Sequence, residues 1–411
     1  MNHTTSKAIL RSLAVAMAMQ FAVGGSVMPF LGIYFEDRGL ALSEISVVFA
    51  GGSAMLLVFP FLWGMLADRF IPLNRMFTCL NLLTFLALMV IATQGGFWGL
   101  MLGTMGLYAC FNPTLILINP LCFQNLDKPR EQFGLLRAWG SLGWMIPSLP
   151  IGVVLAMRDP EQAGSSSVEF AMWLGMGLSL AMAVMSFWLP HSEPGAGGKP
   201  SEGTTRVGYW TAMKRLLGNP SYVTVLAAFF LMAGSFSIFV LYSPLHLVRL
   251  GMDRAWIGPV QCVGVLLEVI LFRWRTLFVH RWSYATTICM GCLCLILRQV
   301  LFATVDNLWV LTSTYLLAGM VIVFFHIGAS VLANALAGPE VRSTAQTLLV
   351  LCGPGLGPLF ANVVVNAMTR GDRDDLTGVF LFAAGLAAVA GCLIVWRGRR
   401  LDADALMEPG G

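Results

Sequence analysis

Two ionisable side chains lie within long apolar runs of this 411-residue sequence. Glu268 stands in VGVLLEVILF and Arg298 in CLILRQVLFA, and neither ten-residue stretch contains another charged residue. A charged group is expensive to bury in an apolar segment, so both residues are candidates for function. If both runs are helices with a rise of about 1.5 Å per residue, Glu268 lies roughly 16 Å and Arg298 roughly 21 Å from the polar joint between the two runs. The two side chains are therefore close enough to pair.

Reversible protonation is the chemistry that such a pair supports. Burial raises the pKa of a carboxyl group and a neighbouring guanidinium lowers it, so an acid with a displaceable partner gains and loses a proton. His326, in IVFFHIGAS, is a further candidate for proton transfer because imidazole titrates near neutrality. The alternatives are a static ion pair for Glu268 and Arg298, and a polar cavity lining for His326.

A second set of candidates lies on one predicted helix. Arg137, Ser141 and Trp144 fall at i, i+4 and i+7, which is one helical face. Gly140 and Gly143 lie among them and permit close helix packing. The guanidinium of Arg137 supplies hydrogen-bond donors, Ser141 supplies a hydroxyl, and Trp144 supplies a flat indole ring. Together these groups suit a ring-bearing solute with several hydroxyl groups. In the alternative, Trp144 packs on lipid and Arg137 extends to the membrane surface.

The sequence offers little for metal or covalent chemistry. The closest cysteines are Cys289, Cys292 and Cys294, and no polar partners accompany them. Free cysteine packs as a small apolar residue, which is the favoured interpretation here. We therefore predict no metal, no cofactor and no enzyme activity, since no nucleophile and base are arranged together.

The composition explains what must position these residues. Hydrophobic residues make up 57% of the chain and charged residues 11%, and the mean hydropathy is +0.77. A soluble protein carries about a quarter charged residues. Because a helix satisfies its own backbone hydrogen bonds in lipid, we predict an all-α membrane protein with about twelve spans of ~20 residues each.

The apolar runs fall into two groups of six, separated by a polar stretch that is rich in Gly, Pro and Ser. The predicted spans are residues 9–34, 43–67, 74–94, 97–125, 133–156, 167–189, 220–248, 256–279, 284–303, 306–337, 342–368 and 376–396. The domain prediction is a six-helix bundle over 1–190, a cytoplasmic linker over 191–219, and a second bundle with a short tail over 220–411.

Positive charges predict the orientation. With both termini inside, 17 of the 25 Lys and Arg residues lie on the cytoplasmic side and six lie outside. We therefore expect a multi-pass protein of the cell's inner (plasma) membrane with cytoplasmic termini. The lipid bilayer is its expected partner, and the absence of dense basic runs argues against a nucleic acid polymer.

The joint between the second and third spans carries a recognisable motif. Gly64 to Arg75 reads GMLADRFIPLNR, which resembles the signature of the major facilitator superfamily, Gly-x-x-x-Asp-Arg followed by basic residues. The resemblance implies that Gly64, Asp68, Arg69 and Arg75 clamp the inward ends of neighbouring helices. The glycine that usually follows Asp-Arg is absent here. An ordinary helix end with a surface ion pair is the alternative.

A second motif narrows the resemblance. Phe133 to Trp144 reads FGLLRAWGSLGW and resembles the fifth helix of the branch that contains lactose permease, nucleoside-proton symporters and phenylpropionate transporters. Glu268, Arg298 and the VRSTAQTLL stretch that begins at Val341 look most like the nucleoside symporters. The resemblance implies that Arg137, Ser141 and Trp144 contact the substrate.

The sequence departs from that branch where substrates are recognised. Sugar-transporting relatives carry a carboxylate on the fourth span, where this chain offers only Asn112, Asn119 and Gln124. Of these, Asn112 and Asn119 are candidates for substrate contact. The polar residues of the nucleoside symporters on spans seven and ten are replaced by apolar ones. These positions are Phe236, Phe239, Ile322 and Val323.

The resemblance implies the major facilitator fold and a proton-coupled symporter. We expect import of a small polar or ring-bearing solute by alternating access, with nucleosides as the first choice. Sugars or aromatic acids, carried by the same fold, are the alternative, as is a membrane solute sensor that does not transport. The expected partners are the solute and protons, and the expected state is a monomer.

Overall fold

The computed structural model describes residues 7–126, 129–157, 168–190, 209–279, 282–370 and 375–407. All regular structure within these ranges is helical, and no strand occurs in them. Twelve of the helices are long and apolar enough to cross a membrane. The prediction of an all-helical protein with twelve spans is therefore confirmed.

The spans are numbered in chain order. Spans 1 to 6 are Lys7–Asp37, Leu42–Ala67, Leu73–Thr93, Phe97–Asn125, Gln132–Ala156 and Glu169–Trp188. Spans 7 to 12 are Pro220–Arg249, Arg254–Leu271, Tyr284–Thr304, Leu308–Gly338, Glu340–Met368 and Leu376–Ala405. Most predicted ends lie within three residues of these limits. Span 12 is the clearest exception, since it was expected to end at residue 396 and continues to Ala405.

The chain forms two compact units. The first comprises Met1–Lys199 and Gly251–Cys262, and the second comprises Pro200–Leu250 and Val263–Gly411. The segment Gly251–Cys262 follows span 7 in the sequence but belongs to the first unit, which a division of the chain into two halves does not anticipate. Residues 191–208 of the predicted linker lie outside the described residues.

The last part of the predicted linker is a helix, Tyr209–Leu217. Ala212 and Leu216 lie four residues apart on its buried face and join the apolar core of the second unit, while Lys214 and Arg215 are exposed. The spacing of its apolar residues makes this segment an amphipathic helix. The polar composition alone predicted a linker up to Asn219.

Glycines bring equivalent pairs of helices together in the two units, spans 1 and 5 in the first and spans 7 and 11 in the second. A Cβ atom added to Gly25 of span 1 would lie 2.0 Å from the Trp144 carbonyl oxygen of span 5, and one on Gly143 would lie 2.0 Å from the Ala18 oxygen. In the second unit, a Cβ on Gly357 of span 11 would lie 2.6 Å from the Phe230 oxygen of span 7. The absence of a side chain thus sets the helix spacing in each unit.

Glycine also permits the tight turns between neighbouring spans. Gly39 follows span 1 with φ of 83°, and Gly251 follows span 7 with φ of 90°. These positions are equivalent in the two groups of six spans. Only glycine adopts this backbone region readily, so the two turns require it.

A proline in span 4 creates a hydrogen-bond acceptor for another helix. Pro113 lacks a backbone N–H, so the carbonyl of Ala109, four residues earlier, receives no helical hydrogen bond from it. Trp63 of span 2 donates its indole N–H to that oxygen at 2.8 Å. The tryptophan thereby satisfies a group that proline leaves open.

Candidate functional site

Arg298 is the largest fully buried side chain of the described residues, with no exposed surface. Its guanidinium carbon lies 3.1 Å from the ring centroid of Phe239 on span 7 and 4.4 Å from that of Tyr315 on span 10. None of its three side-chain nitrogens has a hydrogen-bond partner within the described part of the chain. A cation is thus held by two aromatic faces, with its donors unused.

The energetics of this arrangement are unfavourable for a purely structural residue. Moving an ion of this size into the interior costs several kcal/mol after relaxation. A desolvated cation–π contact returns about 2 kcal/mol. Burial of this cation without hydrogen bonds is therefore costly, which is typical of functional residues at membrane depth.

Glu268 and Arg298 both lie beside span 10. Gly264 and Gly319 bring spans 8 and 10 into backbone contact, since a Cβ on Gly264 would lie 2.6 Å from the Tyr315 oxygen and one on Gly319 would lie 2.7 Å from the Glu268 nitrogen. Tyr315 and Gly319 are four residues apart, or about 6 Å along the helix. The backbone of Glu268 therefore lies beside Gly319, and the guanidinium of Arg298 lies over the ring of Tyr315, one turn earlier on span 10.

The ion pair expected from the sequence is not formed through hydrogen bonds in this conformation. Glu268 is only 6% exposed, but the guanidinium of Arg298 lies against the adjoining rings of Phe239 and Tyr315 and donates to no described residue. A direct pair between the two residues therefore stays a prediction for another conformation of the transport cycle.

His326 lies in an aromatic cluster that separates it from Arg298. Its ring centroid is 5.1 Å from that of Phe236 and 5.6 Å from that of Phe229. Phe236 in turn contacts Phe239, the ring on which Arg298 stacks, at 6.4 Å. Two phenyl rings therefore lie along the path between the imidazole and the guanidinium. The role of His326 in proton transfer is untested, and the two rings favour the alternative that the imidazole takes no direct part.

Sequence reasoning missed the groups that position Arg298. The hydroxyl groups of Tyr315 and Ser243 are hydrogen-bonded at 2.9 Å, which fixes the Tyr315 ring. Gln299 donates its side-chain amide to the Ser235 carbonyl oxygen at 2.8 Å and so fixes span 9 against span 7. Phenylalanine and tyrosine are common in apolar spans, so the sequence alone did not indicate that Phe239 and Tyr315 contact Arg298.

In the first unit, the predicted face of span 5 lies against span 1. The guanidinium carbon of Arg137 is 4.6 Å from the Phe21 ring centroid. The Trp144 ring covers Gly24, where an added Cβ would meet it at 2.6 Å. Ser141 is buried between them. The structure thus brings the three residues to one face, which packs on span 1.

A buried polar network joins spans 1, 3 and 4 of the first unit. Gln20 donates to the Thr114 hydroxyl at 2.6 Å and accepts from the Asn81 amide at 3.0 Å. All three side chains are fully buried. Sequence reasoning missed this network because its three residues lie on different spans and 33 or more positions separate one from the next.

The span 4 candidates show no shared contact with this network. Asn112 and Asn119 are half-buried and lie seven residues apart, hence on one side of the helix. The Asn112 amide nitrogen is enclosed without a hydrogen-bond partner among the described residues. Asn112 therefore has a donor available for a ligand, whereas nothing distinguishes Asn119.

The predicted clamp lies at the end of span 2. Gly64 has open space where a Cβ would be added, and Arg69 and Arg75 are exposed. The side chain of Asp68 lies outside the described residues, so its predicted partner stays a prediction. The glycine of the motif does not mark a close helix contact here.

Comparison with known proteins places this architecture in a family. The sequence profile of the MFS_1-like family matches residues 10–367. The protein YegT of Escherichia coli (strain K12) is 21% identical over 400 residues, which span 93% of this chain and 92% of YegT. The nucleoside permease NupG of the same organism is 21% identical over 402 residues, or 92% of this chain and 93% of NupG.

Solved structures show the same fold. The crystal structure of the nucleoside transporter NupG superposes with a TM-score of 0.78 at 19% identity and covers 95% of this chain and 99% of NupG. That of the POT family transporter PepTSo gives a TM-score of 0.71 at 14% identity, with 95% and 98% covered. The chain therefore belongs to the MFS_1-like family and is a transporter of the major facilitator type, not an enzyme.

Proposed function

We propose that this transporter is a proton-coupled symporter that imports a small, ring-bearing polar solute by alternating access, with nucleosides as the first choice. The name of the relative NupG, a nucleoside permease, supports this choice of solute. Arg137, Ser141 and Trp144 contact the solute in this proposal, together with Asn112 and Asn119. Glu268 and Arg298 are assigned to proton coupling and also to solute contact.

One observation carries the coupling proposal. Arg298 is fully buried without a hydrogen-bond partner among the described residues, and Glu268 is also buried beside span 10. A guanidinium in this state gains most from an acceptor that arrives during the cycle, either the Glu268 carboxylate or the solute. Competition between these two acceptors links solute binding to protonation of the acid.

Uptake into proteoliposomes tests this proposal. Purified protein is reconstituted, a pH gradient is imposed, and accumulation of radiolabelled nucleosides is followed with and without a protonophore. We expect uphill accumulation that the protonophore abolishes. Glu268→Gln should abolish uphill accumulation but preserve exchange of solute between equal concentrations, because exchange requires no net release of a proton.

Two results would contradict the coupling role. Uphill accumulation by the Glu268→Gln protein would return this residue to a structural role. Loss of exchange as well as accumulation, with unchanged melting temperature, would instead assign Glu268 to solute binding alone. Glu44 is the matched control, since it is an acid whose carboxylate accepts a hydrogen bond from the Ala41 nitrogen at the start of span 2.

An aromatic acid is the second candidate solute. The unused donors of Arg298 form a planar fork that matches a carboxylate in two hydrogen bonds. Uptake of labelled nucleosides, sugars and aryl carboxylates, each measured separately, distinguishes these classes. Accumulation of the carboxylates alone would favour the second candidate over nucleosides.

The proposed orientation places both termini in the cytoplasm. The excess of Lys and Arg on that side supports it, and it assigns Gly64, Asp68, Arg69 and Arg75 to a clamp at the inner membrane surface. Asp68→Asn should then slow transport while solute binding persists. Equal loss of binding and transport would assign Asp68 to folding.

A further inference from the structure

A groove opens on the second unit where spans 9 and 12 pack together. Its volume is about 460 Å³. One end carries polar groups, namely Ser283, Thr286, Arg399 and Asp402, and the rest is lined by apolar side chains that include Met290, Leu293 and Val395. Leu293 and Val395 are 58% and 70% exposed, so the apolar part faces outward from the unit.

The groove has the dimensions and polarity of one membrane leaflet. Ser283 and Leu293 mark its two ends on span 9 and are ten residues apart, about 15 Å at 1.5 Å per residue. Half of a hydrocarbon core of ~30 Å has the same thickness. Trp282 and Trp396 lie next to the lining residues Ser283 and Val395 and are exposed. Exposed tryptophans are typical of the membrane interface.

The positive charges at the polar end of the groove favour a ligand with an anionic headgroup. Three arginines follow Trp396 within four residues, namely Arg397, Arg399 and Arg400. Asp404 accepts a hydrogen bond from the Ser221 hydroxyl and does not line the groove. Asp402 lines it, but its Oδ1 accepts a hydrogen bond from the Ala285 nitrogen at 3.2 Å. The three arginines outnumber the one described acid that lines this end, so the local charge is positive.

We propose that this groove binds one anionic phospholipid, with its phosphate on Arg399 and the Thr286 hydroxyl and one acyl chain along Leu293 and Val395. Small residues form the floor, since Gly398 approaches Ala285 so closely that an added Cβ would lie 3.2 Å from the alanine Cβ. A free phosphate ion would fill only the polar end. The apolar length of the groove therefore favours a lipid over a soluble anion.

Native mass spectrometry of the full-length protein tests this inference. Phosphatidylglycerol and phosphatidylcholine with identical acyl chains are titrated separately, and glycerol phosphate is titrated as the headgroup without chains. We expect one phosphatidylglycerol molecule to bind saturably, phosphatidylcholine to bind more weakly, and glycerol phosphate not to be retained. Arg399→Gln should weaken phosphatidylglycerol binding about fivefold, which corresponds to ~1 kcal/mol for one basic residue near an anionic lipid surface.

Arg400→Gln is the matched control, because Arg400 is an exposed neighbour on the same helix that does not line the groove. Phosphatidylglycerol binding by the Arg400→Gln protein should change less than twofold. Leu293→Trp should fill the apolar part and displace the lipid at an unchanged melting temperature. Equal binding of the two lipids, equal effects of the two arginine variants, or a dimer that buries the groove would overturn the proposal.

Discussion

Arg254 holds Asp37 with two hydrogen bonds of 2.6 Å each, although 217 residues separate them in the sequence. The fork of the guanidinium matches the two carboxylate oxygens. The Asp37 side chain is 9% exposed and that of Arg254 is 24% exposed. Asp37 ends span 1 and Arg254 begins span 8, so this pair fixes the segment Gly251–Cys262 to the first unit. Close packing of Gly258 on Ser148 supports the same attachment.

Breaking this pair should destabilise the protein more than breaking a surface pair. For Asp37→Asn we expect a loss of about 1–3 kcal/mol in the free energy of unfolding, between the values for exposed and buried pairs, since the charge on the acceptor of two short hydrogen bonds is removed. Thermal unfolding in detergent measures this change. Arg215→Gln is the control, because its pair with Glu340 is 59% and 45% exposed and should contribute under ~1 kcal/mol. Equal melting temperatures of the two variants would contradict the prediction.

Removal of the buried guanidinium should not lower stability. Arg298→Met keeps an elongated side chain but removes a charge that has no hydrogen-bond partner among the described residues, and such replacements are neutral or stabilising by about 1–4 kcal/mol. The melting temperature should stay level or rise while solute uptake is lost. A strong fall in the melting temperature would show that Arg298 serves the fold.

The close approach of spans 1 and 5 should tolerate no added side chain. Gly143→Ala places a Cβ 2.0 Å from the Ala18 carbonyl oxygen, and the resulting overpacking should cost about 1–3 kcal/mol or prevent folding. Gly177→Ala is the control, because nothing lies within 4 Å of its added Cβ in span 6. Yields of monodisperse protein and melting temperatures distinguish the two. Similar behaviour of both variants would refute this account of the helix contact.

His326 should be dispensable for coupling. Phe236 and Phe239 lie between its ring and Arg298, so His326→Phe should preserve uphill uptake in a pH gradient. Phenylalanine also fits a cluster that already contains Phe229 and Phe325. Loss of uphill uptake with exchange intact would assign His326 to proton transfer after all.

The sequence predicted the fold well because the signal for a span is local. Twelve apolar runs determine twelve helices, and Glu268 and Arg298 were recognisable because charge is rare in such runs. The environment of Arg298 was not predictable, since Phe239 and Tyr315 belong to other spans and resemble ordinary apolar residues. The same limit applies to the Gln20 network and to the attachment of Gly251–Cys262, which depend on contacts between distant parts of the chain.

The π-helical segment Val321–Ile327, which contains His326, has a consequence for the evolution of this chain. A π-turn is an α-helix with one inserted residue. Deletion of a single residue within the segment should therefore restore a continuous α-helix and not break it. Every side chain on one side of the deletion would rotate by about 100° relative to the other side. Homologues with a one-residue gap here should keep span 10 but present a different residue at the position that His326 occupies.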